Sequence, residues 1–103
     1  MKDDSPTLER EFTVTSELGL HARPAGQFVQ LAGRFSAEIT VSADGDWVSA
    51  RSVLSLLSLA AAQGTRLKIR ARGIDAAEAI DALGRLLENP PEYLPGMGSR
   101  DRG

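Results

Sequence analysis

The stretch Phe35-Ser36-Ala37-Glu38-Ile39-Thr40-Val41-Ser42-Ala43-Asp44-Gly45-Asp46-Trp47-Val48-Ser49-Ala50 decides the fold. Phe35, Ala37, Ile39 and Val41 alternate with polar neighbours, which is the period of a strand with one wet face. Asp44-Gly45 tolerates the positive φ angles of a tight turn, so Trp47 to Ala50 is predicted to run back along Phe35 to Ser42. Strands that alternate, instead of being apolar throughout, describe an antiparallel sheet with one bare face. The chain must then supply helices for the other face.

The flanking sequence supplies them. Phe12 and Val14 alternate with Glu11, Thr13 and Thr15, and Leu67, Ile69 and Ala71 alternate with basic residues, so two further strands are predicted. Ala25, Phe28, Val29 and Ala32 share one face of a helix that Gly33 can end. Val53 to Ala62 is predicted as a second helix, N-capped by Ser52 and ending near Gly64. Asp75 and Glu78 resemble a capping box ahead of a third, whose stripe is Ile80, Leu83, Gly84 and Leu87. The expected fold is α+β: an open-faced sandwich, order βαββαβα, with a four-stranded antiparallel sheet covered on one face by three helices.

A chain of 103 residues and 11.0 kDa is one domain. Hydrophobic residues at 42% and charged residues at 25% exclude a disordered or fibrous chain. With no Cys and one His, a disulfide framework, a thiol nucleophile and a Cys/His zinc cluster are all excluded. A net charge of -2 argues against affinity for polyanions through the overall field. Met1 to Glu11 lacks the apolar core of a signal peptide, and Val53 to Ala62 is too short to span a bilayer. A cytoplasmic protein without membrane insertion is expected. Residues 1–8 and 90–103 read as flexible tails around a domain at 9–89.

The one His lies in Gly19-Leu20-His21-Ala22-Arg23-Pro24-Ala25, between the first strand and the first helix. At the N-cap its ring would stand where the N–H groups of the first turn and the helix dipole favour an anion. Pro24 costs nothing in a first turn, and it should hold Arg23 away from helical angles. Arg23 adds a planar fork suited to phosphate oxygens. The neutral form of imidazole is a nucleophile, so the constellation suits accepting and returning a phosphoryl group. Taken alone, a His-x-Arg is more often a polar cap beside a solvated charge.

The segment from Gly19 to Ala25 resembles the active-site segment of the HPr family, the histidine-containing phosphocarriers of the bacterial phosphoenolpyruvate-dependent phosphotransferase system. The resemblance continues through Ala50-Arg51-Ser52-Val53-Leu54-Ser55-Leu56-Leu57-Ser58-Leu59, Gly64 and Gly73. It implies that enzyme I passes a phosphoryl group from phosphoenolpyruvate to Nδ1 of His21, that Arg23 neutralises its charge, and that a IIA-type acceptor receives it. It implies no cofactor, no metal and no turnover of a small molecule by the chain itself, and a monomer is expected.

By the same resemblance Ser52 matches a serine that a dedicated kinase/phosphorylase modifies in some members, although N-capping alone would select a Ser there. Val53, Leu54 and Leu57 match the apolar dock for partners, with Arg51 at its rim, although such spacing is more often core. Val53-Leu54-Ser55-Leu56-Leu57 is partly similar to the nitrogen-related carriers, so a regulatory binding module without a transport role stands beside sugar uptake. Arg66, Lys68, Arg70 and Arg72 fall on the bare face, where cross-strand pairing with Glu11 and Glu38 explains them. An RNA-binding α+β domain is the rival, against which stands the lack of an aromatic platform on that face; no nucleic-acid partner is expected.

Overall fold

The structure, a computed structural model, describes residues 6–89. Its elements are β1 (Thr7–Thr13), α1 (Ala22–Ala32), β2 (Glu38–Ser42), β3 (Trp47–Ser49), α2 (Val53–Leu57), β4 (Arg66–Arg72) and α3 (Ala76–Glu88). The sheet order is β1-β4-β2-β3, with every neighbouring pair antiparallel. The expected open-faced sandwich is what the chain forms.

Strand alternation sets the layers. Val41, Leu67 and Ile69 are fully buried on one face and meet Phe28 of α1, Leu56 of α2, and Ile80 and Leu83 of α3. Each such side chain, taken wholly out of water, contributes roughly 1.5–3 kcal/mol. Gly84 belongs to the α3 stripe for a steric reason, because a Cβ there would overlap the Phe12 ring of β1. The hairpin closes as expected: Ser42 pairs with Trp47, Gly45 takes φ +107°, and its N–H donates to Ser42 Oγ at 2.8 Å.

The structure departs from expectation in several places. β1 begins at Thr7, so Thr7 and Leu8, expected in the N-terminal tail, pair with Arg72 and Ala71. Seven residues of β4 offer a full-length template, and Leu8 packs on the core. The expected tail at 90–103 lies outside the described residues, as do residues 1–5. α2 stops at Leu57 instead of reaching Ala62. Bonds from the N–H groups of Leu59 and Ala60 to the carbonyls of Leu56 and Leu57 tighten its end, and Ala60 then turns the chain out at φ +52°.

Asp75 does not cap its own helix. Its carboxylate accepts from the N–H groups of Ser36 and Ala37, both at 2.9 Å, and so fastens the start of α3 to the chain entering β2. Those bonds, chiefly the one from Ser36, hold its pKa below the ordinary carboxylate range against the opposing effect of burial. Gly33 ends α1 in right-handed rather than left-handed geometry, with its N–H bonded to the carbonyl of Val29.

Candidate functional site

Leu20 is buried and Ala25 is fully buried, so the chain between them has little latitude where it enters α1. His21 is the N-cap, extended at φ -84°, ψ -171°, and its ring is half-buried and makes no capping hydrogen bond. The first bond of the helix runs from the Ala25 N–H to the His21 carbonyl at 2.9 Å. N–H groups ahead of that bond point out of the helix end that begins at His21. Arg23 is the second residue of α1, within its first turn, and exposed. It is helical, contrary to the extended geometry expected of a residue before Pro24. Burial of Ala25, Phe28 and Ala32 along α1 outweighs the local pre-proline preference.

A second segment holds the loop that carries His21. The Leu20 N–H donates to the Ala61 carbonyl at 2.8 Å, the Gln63 side chain to the Thr15 carbonyl at 3.0 Å, and the Val14 N–H to the Thr65 carbonyl at 2.9 Å. The Gly64 N–H returns a bond to the Val14 carbonyl at 2.8 Å. Gly19, at φ +73°, lies so close that a Cβ would overlap the Ala61 carbonyl oxygen and stand 2.8 Å from Ala62 Cα. Only glycine fits that approach. This clasp was not foreseen from sequence, because its parts act through backbone groups and the segment reads as the end of a helix.

Ser52 caps α2, its Oγ accepting from the Ser55 N–H at 3.1 Å. The clasp adjoins the opposite end of α2, so Ser52 stands about 7–8 Å further along the helix than Leu57, at the usual rise per residue. α2 packs on α1. Leu54 is 79% exposed, Val53 and Leu57 are half-buried, and Leu56 is buried, so the helix has one core position and an apolar outer side. Arg51 is exposed, but its guanidinium donates to the carbonyls of Phe35 at 3.1 Å and Ala37 at 3.4 Å. It pins the chain entering β2, and this is a structural task that the sequence did not indicate.

The bare face carries Arg66, Lys68, Arg70 and Arg72 as expected. Arg70 bonds Glu9 at 2.8 Å and Arg66 lies 3.8 Å from Glu11, while Glu38 pairs in register with Arg72. One expectation fails here, since Trp47 stands on this face with the Arg70 guanidinium 4.0 Å from its ring centroid. The register that sets Trp47 against Ser42, itself opposite Lys68, turns the indole to the bare side. Among the described residues no cluster of three or more His, Cys, Asp or Glu is placed to hold a metal ion, and no helix is long and apolar enough to cross a membrane.

Fold and site together define a class: an open-faced βαββαβα sandwich that presents one imidazole at the N-cap of its first helix, braced by the chain beyond its second. The chain belongs to the PTS-HPr family, whose pattern, described as the PTS HPr component phosphorylation site, matches residues 8–89. Phosphocarrier protein HPr of Xylella fastidiosa, strain Temecula1, is 44% identical over 82 residues, covering 80% of this chain and 92% of its own. The crystal structure of HPr-C-His from Thermoanaerobacter tengcongensis superposes with a TM-score of 0.79 at 42% identity, over 84% of this chain and 99% of that one. A structure described as an HPr dimer from the same organism gives 0.62 at 47% identity, over 73% and 91%.

Proposed function

We propose that this chain is a phosphocarrier that accepts a phosphoryl group on His21 from enzyme I and passes it to a IIA-type acceptor. The observation that carries the reading is the His21 ring, held at the N-cap of α1 and not used as a cap. Nδ1 offers its lone pair to the phosphorus; the new P–N bond forms as the bond to the donor breaks, and the donor keeps that electron pair. Three phosphoryl oxygens then meet the helix end and the Arg23 charge, so positioning and electrostatics carry the transfer. The P–N bond of a phosphorylated imidazole is itself readily broken by a second nucleophile, so the group can leave again to the acceptor while Nδ1 takes back the electron pair. The chain is a substrate of other enzymes, acts as a cytoplasmic monomer and uses no cofactor.

The exposed Leu54, with Val53 and Leu57 beside it, forms the apolar dock for both partners, and the clasp sets His21 at the other end of the same helix. Ser52, at the end of α2 away from the clasp, is a position where a kinase could add charge. Incubation with phosphoenolpyruvate and enzyme I should add one acid-labile phosphoryl group, seen by mass, and His21→Ala should abolish it. An unchanged yield in that variant would move the acceptor elsewhere. Gel filtration across concentrations checks the monomer.

A further inference from the structure

Among the described residues Ala60 is the one non-glycine residue with positive φ, at +52°. Residues with a Cβ seldom adopt that geometry, because the Cβ crowds the neighbouring carbonyl. Ala60 is exposed, so packing of its methyl group does not hold it there. Backbone bonds on either side do. Its own N–H donates to the Leu57 carbonyl at 3.0 Å, and the next residue, Ala61, is buried and receives the Leu20 N–H at 2.8 Å. Leu20 is the residue before His21. Across the contact Gly19 takes φ +73° and leaves no room for a Cβ against the Ala61 carbonyl. Two left-handed residues thus meet around one hydrogen bond, made by the residue before His21. Strain of this kind persists only where the surroundings over-determine it.

We propose that Ala60 is a positioning residue for phosphoryl transfer: its left-handed turn presents the Ala61 carbonyl to the Leu20 N–H and so fixes where the His21 ring stands at the helix end. This rests on the reading of His21 as the acceptor. Transfer needs the ring at near-attack distance from phosphorus, and a displacement of about 1 Å costs on the order of 100-fold in rate. A straight continuation of α2 through Ala60 would carry the Ala61 carbonyl into the helix ladder and away from Leu20.

Three variants separate backbone preference from side-chain bulk at this exposed position. Ala60→Gly and Ala60→Asn accept the left-handed region, whereas Ala60→Val resists it. Two measurements are made on each: hydrogen exchange of the Leu20 amide in the unphosphorylated protein, and the rate of phosphorylation by enzyme I. Ala60→Val should speed Leu20 exchange about tenfold and lower kcat at least about tenfold with KM within about twofold. Ala60→Gly and Ala60→Asn should match the parent in both, with β4 amides equally protected in all three. Unchanged Leu20 exchange in Ala60→Val overturns the proposal. So does an Ala60→Asn variant that loses transfer as fully as Ala60→Val, since side-chain bulk against a partner would then be responsible. A parent chain that enzyme I leaves unmodified overturns the acceptor reading by itself, and Leu20 exchange still decides whether Ala60 holds the loop.

Discussion

The same substitution placed in two helices should have opposite effects. Replacing a helical glycine by alanine ordinarily stabilises by about 0.5–1 kcal/mol, through lower entropy in the unfolded chain and better helix propensity. At Gly26 of α1 a Cβ would meet nothing within 4 Å, so Gly26→Ala should yield that gain in full. At Gly84 of α3 a Cβ would overlap two ring atoms of Phe12 and stand 2.6 Å from a third, Cδ1. Overpacking of this kind costs about 1–3 kcal/mol, which cancels or outweighs the propensity gain. Propensity is common to both sites, so the difference between the two variants, about 1–3 kcal/mol, isolates the Phe12 contact. Urea unfolding measures it directly. By thermal melting, Gly26→Ala should rise by roughly 2–8 °C, at 4–8 °C per kcal/mol for a domain of this size. Shortening the ring in a Phe12→Leu, Gly84→Ala double variant should recover part of the loss. If Gly84→Ala stabilises as much as Gly26→Ala, β1 and α3 do not meet through Phe12 and Gly84, and the account of that interface is wrong.

Two other outcomes follow from single hydrogen-bonded groups. Ser52→Ala removes the bond from the Ser55 N–H and should lower stability by about 1 kcal/mol while leaving transfer to His21 nearly intact. Ser52→Asp introduces a negative charge that a helix N-terminus tolerates but that must be desolvated at the dock, so at matched folding it should slow phosphorylation by enzyme I at least about tenfold; equal rates would reduce Ser52 to a cap. Asp75 has a folded pKa below its unfolded one, so its contribution is present above the unfolded value and is lost as pH falls through the folded one. The urea midpoint of the parent should therefore drop from about pH 4 downward more steeply than that of Asp75→Asn, and parallel curves would show that its bonds to Ser36 and Ala37 do not form.

Period-2 alternation was enough to place β2 and β4, because burial on one face of a sheet writes itself directly into residue order, and the Asp44-Gly45 turn placed β3. His21 at the N-cap was legible for a similar reason, since Pro24 and the Ala25, Phe28, Ala32 stripe mark where the helix must begin. The end of α2 was not legible. Leu59 to Ala62 has good helix formers, and what stops the helix is the demand of Leu20 for a carbonyl, a contact between residues some forty positions apart. Asp75 misled for a related reason: a carboxylate three residues before a Glu can cap locally, but the N–H groups of Ser36 and Ala37 arrive from another element. Arg51 and Trp47 show the same limit, since each finds its partner only through the register of the folded sheet.

The stacking of Arg70 on Trp47 has a practical side. Trp47 is the only tryptophan in the chain, and it stands on the face of the sheet away from α1 and His21. Its emission therefore reports whether the sheet is intact and the cation is seated on the indole, and it has no direct view of the imidazole. A fluorescence titration with a partner that docks on the helical side should leave the spectrum almost unmoved, while a denaturant titration should shift it to the red as the ring enters water. The molecule thus carries an internal optical gauge of folding that is insulated from its chemistry, and one sample can be followed through unfolding by light and through phosphorylation by mass without either signal contaminating the other.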